Sequence, residues 1–102
     1  MNNIDEFLED GFKIREYENN LSKIISEIKR ECEVQKEEDF DYKEHIEISV
    51  NVLKTFLEGY KKLIEKYPDS KFIKNRKKYL YFFAKKNLPK EVYKEVYENE
   101  QH

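Results

Sequence analysis

Apolar side chains recur along most of this chain at helical spacing. Between residues 12 and 37 they fall at Ile14, Tyr17, Leu21, Ile24, Ile25, Ile28 and Cys32. Steps of three, four and seven keep them on one stripe of a helix with about 3.6 residues per turn, so a long amphipathic helix is expected there. A second stripe, Ile46, Val50, Leu53, Phe56, Leu57, Tyr60, Leu63, Ile64 and Tyr67, predicts a helix over 42–67. Its other face, with Asn51, Lys54, Thr55, Glu58, Lys62 and Glu65, is polar throughout. Asp41 followed by Glu44 resembles a capping box at its start. Pro68, which lacks the N–H that a helix interior needs, ends it.

The flanking segments read less cleanly. Asn3 suits an N-cap, and Asp5 and Glu6 suit a first turn, so a short helix carrying Ile4, Phe7 and Leu8 is expected. Gly11 is its expected stop, and one or two turns hold little alone, so 1–11 should dock loosely. A further helix is expected over 70–87. At about 100° per residue it places Phe72, Ile73, Tyr79, Leu80, Phe83 and Ala84 on one broad core arc. Tyr81 and Phe82 fall outside that arc, among lysines. Pro89 suits the first turn of a last helix reaching Glu98, with Val92, Tyr93, Val96 and Tyr97 on its inner edge.

One competing pattern exists. Phe40, Tyr42, Ile46, Ile48, Val50 and Val52 also alternate as a strand would. No second strand is available to pair with it unless another copy supplies one, and an unpaired strand leaves its backbone groups unsatisfied. The expectation is therefore an all-α fold: an antiparallel four-helix bundle with a short extra N-terminal helix, one domain over 1–102.

Composition agrees with that reading. Only two Gly and two Pro occur in 102 residues, too few for a turn-rich all-β fold, while eight Tyr and seven Phe argue against disorder. The single cysteine, Cys32, allows no intrachain disulfide and continues the first stripe, so it reads as a small core residue. No apolar run approaches the ~20 residues of a membrane span, and the acidic start lacks the basic and apolar regions of a signal peptide. A cytoplasmic location is expected.

Charge adds a further distinction. The net charge of −2 hides 15 acids against 7 bases in residues 1–47, and 7 acids against 13 bases in residues 48–102. The two halves can neutralise each other on folding, or present opposite faces to partners. From Lys71 to Lys90 there are eight basic residues, no acid and five aromatics. Lysine stems covering aromatic rings would make this a solvated face. Alternatively, lysines meet phosphates while rings stack on bases, or the rings anchor a protein or membrane-proximal partner. The candidate contacts are Lys74, Lys77, Lys78, Tyr81, Phe82 and Lys85. The acidic run Glu37, Glu38, Asp39, Asp41 and Glu44 is either a solvated link or a surface that imitates nucleic-acid phosphates, as in some phage inhibitors.

Catalytic chemistry needs a constellation, and none assembles. His45 lies between Glu44 and Glu47; Asp41 and His45 share a face, but two ligands do not make a site that normally takes three or more. No Gly-rich phosphate loop, Ser/His/Asp set or CxxC pair occurs. No enzyme, metal or cofactor is expected.

The order of a long amphipathic helix, a Pro-containing link, NRKKYLYFFAKKN and then LPKEVYKEVYE resembles the immunity proteins of pediocin-like bacteriocins, particularly the enterocin A type. The resemblance covers roughly 20–99 and is closest at Asn75, Arg76, Tyr79, Leu80, Tyr81, Phe82 and Ala84, followed by Tyr93. It implies a cytosolic antiparallel four-helix bundle that protects the producing cell where the bacteriocin engages a sugar-permease receptor. It also implies recognition through the C-terminal half, here the basic aromatic region. The leading expectation is a non-enzymatic protein, monomer or homodimer, that neutralises a protein partner. A phage-type inhibitor of a host or defence enzyme and a nucleic-acid-binding module are the alternatives.

Overall fold

A computed structural model of the chain describes residues 3–37 and 43–98, apart from the side chains of Asn3 and Glu37. Four helices follow one another: α1 (Asn3–Glu37), α2 (Lys43–Ile64), α3 (Lys71–Asn87) and α4 (Lys90–Tyr93), which continues as a π-helical stretch, Lys94–Glu98. No strand occurs among the described residues, so the alternation around Ile46–Val52 is helical and the all-α expectation holds. The molecule measures 58 × 24 × 19 Å. Its long axis is α1, whose 35 residues span about 52 Å at ~1.5 Å each.

Contacts between distant residues give the directions. Ser49 donates to Glu31, Tyr17 packs on Phe56, and Tyr67 donates to Asp10, so α2 runs back along α1. Arg76 meets Glu18 and Lys29 meets Asn87, so α3 runs parallel to α1. The last helix then returns beside α3 and α2, with Tyr97 on Tyr81 and Glu95 at Lys54.

The core follows the two long stripes. Leu21, Ile25 and Ile28 of α1 meet Leu53, Leu57 and Tyr60 of α2, all buried, with Val96 and Tyr97 closing the far side. Each such aliphatic side chain contributes roughly 1.5–3 kcal/mol relative to exposure. Gly59 allows α1 and α2 to close up, because a Cβ there would stand 2.5 Å from the Tyr17 hydroxyl oxygen and 2.9 Å from Cζ.

Three expectations need correction. The separate N-terminal helix does not form, because α1 runs through Gly11 without a positive φ. Side chains on that segment hold it to the α2–α3 link: Phe7 packs edge-on to Tyr67 at 5.7 Å, Lys66 approaches Glu6 at 3.5 Å, and Asp10 accepts from Tyr67. These ties outweigh the ~1 kcal/mol that a mid-helix glycine costs. Next, α2 ends at Ile64 rather than at Tyr67. The amides of Lys66 and Tyr67 instead donate three residues back, to Leu63 and Ile64, in a tightened last turn before Pro68. Last, the core arc expected of α3 is rotated. Phe72 and Tyr79 are 66% and 78% exposed, whereas Ala84 is buried and Ile73 and Leu80 are partly so.

Candidate functional site

α3 packs on the bundle through Ile73, Leu80, Tyr81, Phe83 and Ala84, and this positions the candidate surface. Ser70 caps it, its hydroxyl accepting from the Ile73 amide at 3.2 Å. Ala84 is the one α3 residue that is fully buried. Arg76 donates from Nε to both Glu18 carboxylate oxygens at 2.8 and 2.9 Å, and its Nη2 makes a further short contact with the same group. The Glu18 carboxylate is nearly enclosed, so its charge is tolerable only because this guanidinium meets it. Hydrogen bonding to Glu18 also raises the Arg76 pKa, and Arg76 lies 5.4 Å from the Phe72 ring centre. Arg76, one of the residues of the sequence resemblance, is thus committed to joining α3 to α1.

The remaining cations of α3, Lys71, Lys74, Lys77, Lys78, Lys85 and Lys86, face no acid on their own helix. Lys71, Lys78 and Lys85 are exposed and seven apart, so they form one nearly straight line. Lys74 and Lys77 come together with Lys61 of α2 around a depression of about 240 Å³ that Ile64, Ile73 and the acid Glu65 also line. Phe82 is 65% exposed beside the lysine line.

Tyr81 belongs partly to the fold. Its ring meets Tyr97 edge-on at 4.9 Å, Tyr97 stacks on Tyr93 at 5.1 Å, and the Lys77 ammonium lies 5.3 Å from the Tyr81 centroid. The lysine therefore borrows a ring that also pins the last helix. Of the expected contact residues, Lys74, Lys78, Phe82 and Lys85 stand in solvent, and Lys77 and Tyr81 are half-buried. Two rings that the sequence pattern assigned to the core, Phe72 and Tyr79, stand on the outward side of α3 as well.

Comparison with known proteins yields nothing: no family model, curated protein or solved structure matches the chain.

The acidic alternative is described only in part. Glu38, Asp39 and Asp41 lie outside the described residues, as does the side chain of Glu37, while Glu44 is exposed in the first turn of α2. Glu31 is engaged in packing, accepting from Ser49 at 3.0 Å with His45 Nδ1 at 3.8 Å. Among the described residues no three His, Cys, Asp or Glu side chains are grouped to hold a metal ion, and no helix is long and apolar enough to cross a membrane. Burial pushes the half-buried Cys32 thiol up, away from the thiolate that nucleophilic chemistry needs.

Proposed function

We infer that this chain is a non-enzymatic protein that binds a protein partner and blocks it, with protection against a pediocin-like bacteriocin as the named instance. The observation that carries the reading is the outward side of α3. It sets a line of lysines beside exposed Phe82, on a helix whose inner side packs on the core through Ala84, Ile73, Leu80, Tyr81 and Phe83. Rings anchor a protein interface, while cations around them speed encounter with an acidic surface and fix its orientation. The resemblance at Asn75–Ala84 and Tyr93 supports the bacteriocin instance. On this reading the chain acts in the cytosol, against a receptor already engaged by the bacteriocin.

The test is expression in a bacteriocin-sensitive strain challenged with a panel of pediocin-like bacteriocins. Survival with at least one of them is the expected result, and killing at the empty-vector rate by all of them removes that instance. The same lysines would also suit nucleic acid, so a gel shift is run beside it. Binding that weakens steeply with salt would assign the surface to nucleic acid instead.

A further inference from the structure

Beside the lysine line lies a different surface. Between the parallel helices α1 and α3 two depressions, of about 490 and 390 Å³, share Phe72 and Arg76 and so form one trough. Its walls are apolar and wet: Leu8, Phe12, Phe72 and Tyr79 are all more than half exposed. From Leu8 to Ser22 it follows about 21 Å of α1, or about four turns, at ~1.5 Å per residue. A contiguous apolar patch of this extent marks an interaction site.

Shape and charge together select the occupant. A groove between two parallel helices is filled by a third helix lying about 8–10 Å from each. Its walls stand in solvent, so a small apolar ligand would keep much of its surface in water, whereas an amphipathic helix needs one covered face. Glu18 and Arg76 cancel in the floor, which leaves Arg15 as the remaining charge among the lining residues. On α3, Lys71 and Lys78 stand four before and three after the lining residue Asn75, and Lys86 stands three after Phe83. All three are exposed, on a helix that carries no acid. On α1, Glu9 pairs with Lys13 at 3.7 Å and Glu16 lines the α1–α2 depression with the same lysine, so both acids belong to the opposite flank. Asp5, three before Leu8, and Asp69, in the α2–α3 link, are outnumbered by the four cations.

We propose that the α1–α3 trough docks an acidic amphipathic helix of a partner protein. The apolar positions of that helix, at i, i+3, i+4 and i+7, seat against Leu8, Phe12, Phe72 and Tyr79. Its acids lie to either side, meeting Arg15 along the α1 wall and Lys71, Lys78 and Lys86 along the α3 wall. Lys78 borders the lysine line as well, but Phe82 and Lys85 lie outside the trough, so the inference does not depend on the blocking reading.

A helical peptide library tests it. Peptides of about four turns, with Leu or Phe at i, i+3, i+4 and i+7 and with Glu, Lys or Gln free to occupy the flanking positions, are selected against the full chain. The selected sequences should converge on Glu and bind with Kd of about 1–10 μM. A combined Phe72→Ala, Tyr79→Ala chain, altered at exposed positions, should bind them about tenfold more weakly or worse without loss of helical circular dichroism. Arg15→Glu should weaken them comparably, whereas a combined Phe82→Ala, Lys85→Ala chain should bind them as the unaltered chain does. Selection of Lys-rich or uncharged peptides would overturn the proposal, as would binding that ignores the Phe72 and Tyr79 changes or follows the Phe82 and Lys85 ones. So would the absence of any binder tighter than about 1 mM. Sedimentation of the chain alone as a dimer that the Phe72→Ala, Tyr79→Ala change dissolves would overturn it by assigning the trough to a second copy. Flotation with phosphatidylglycerol vesicles, lost on the same change, would overturn it by assigning the trough to a bilayer.

Discussion

Tyr67 donates its hydroxyl proton to the Asp10 carboxylate at 2.6 Å, joining the α2–α3 link to α1. That bond is the main reason the Asp10 pKa lies below its ordinary value, with Lys66 assisting at 3.4 Å, and it raises the Tyr67 phenol to about 12. Asp10 therefore favours the fold above the unfolded carboxylate value of about 3.9, and its contribution fades as pH falls through the lowered folded value. Tyr67 works in the opposite sense. Its contribution is complete below about pH 10 and is lost as pH rises towards its folded value. In Tyr67→Phe both limbs of the stability–pH profile should flatten, and the Asp10 carboxyl should titrate higher by NMR. An Asp10 titration unchanged in this variant would contradict the geometry.

The two glycines should respond oppositely to alanine. At Gly11 a Cβ meets nothing within 4 Å, so Gly11→Ala should stabilise by about 0.5–1 kcal/mol through helix propensity. At Gly59 the Tyr17 ring occupies the space. Gly59→Ala should lose that gain and destabilise by about 1–2 kcal/mol, because helix or ring must shift. Urea titrations of the two variants measure both changes.

The buried pair between α1 and α3 should behave as a unit. Arg76→Leu leaves the Glu18 carboxylate without its partner and should cost about 2 kcal/mol, reduced from the cost of a fully buried pair because the guanidinium side is 40% exposed. Glu18→Leu combined with Arg76→Leu should recover most of that loss. A double-mutant cycle on thermal or denaturant unfolding reads the coupling.

Tyr60 carries a hydroxyl that is fully enclosed and has no hydrogen-bond partner among the described residues. Burial accordingly raises its pKa strongly. Removing the hydroxyl removes an uncompensated desolvation cost, so Tyr60→Phe should raise stability by about 1 kcal/mol. A lower melting temperature would mean that the hydroxyl is satisfied in solution.

α1 and α2 were legible in the sequence because each has one apolar stripe and one polar face. α3 was not, because Phe72, Tyr79, Phe83 and Phe82 extend its apolar circumference well beyond one stripe and pattern alone does not choose the inward side. Ala84 does, as the smallest side chain in the helix, since two helices approach closest where the side chain is small. The buried acids left a readable signal as well. Asp10 and Glu18 stand four before and four after Ile14, inside the apolar stripe of α1, where a carboxylate requires a partner. Which partner was not legible, because Arg76 and Tyr67 are more than fifty residues away and only the fold brings them in. The lysines of the candidate surface were visible as a run without acids. The exposure of Phe72 and Tyr79 was not, because both rings fit a core arc equally well.

On the proposed function, α3 serves the fold with its inner side and a partner with its outer side. A combined Lys78→Ala, Phe82→Ala, Lys85→Ala variant, tested for survival under bacteriocin and for thermal unfolding, addresses it most directly. Protection reduced at least about tenfold with an unchanged melting temperature is the result expected from loss of interface anchors alone. Protection equal to that of the unaltered chain, or no protection by either, would contradict it.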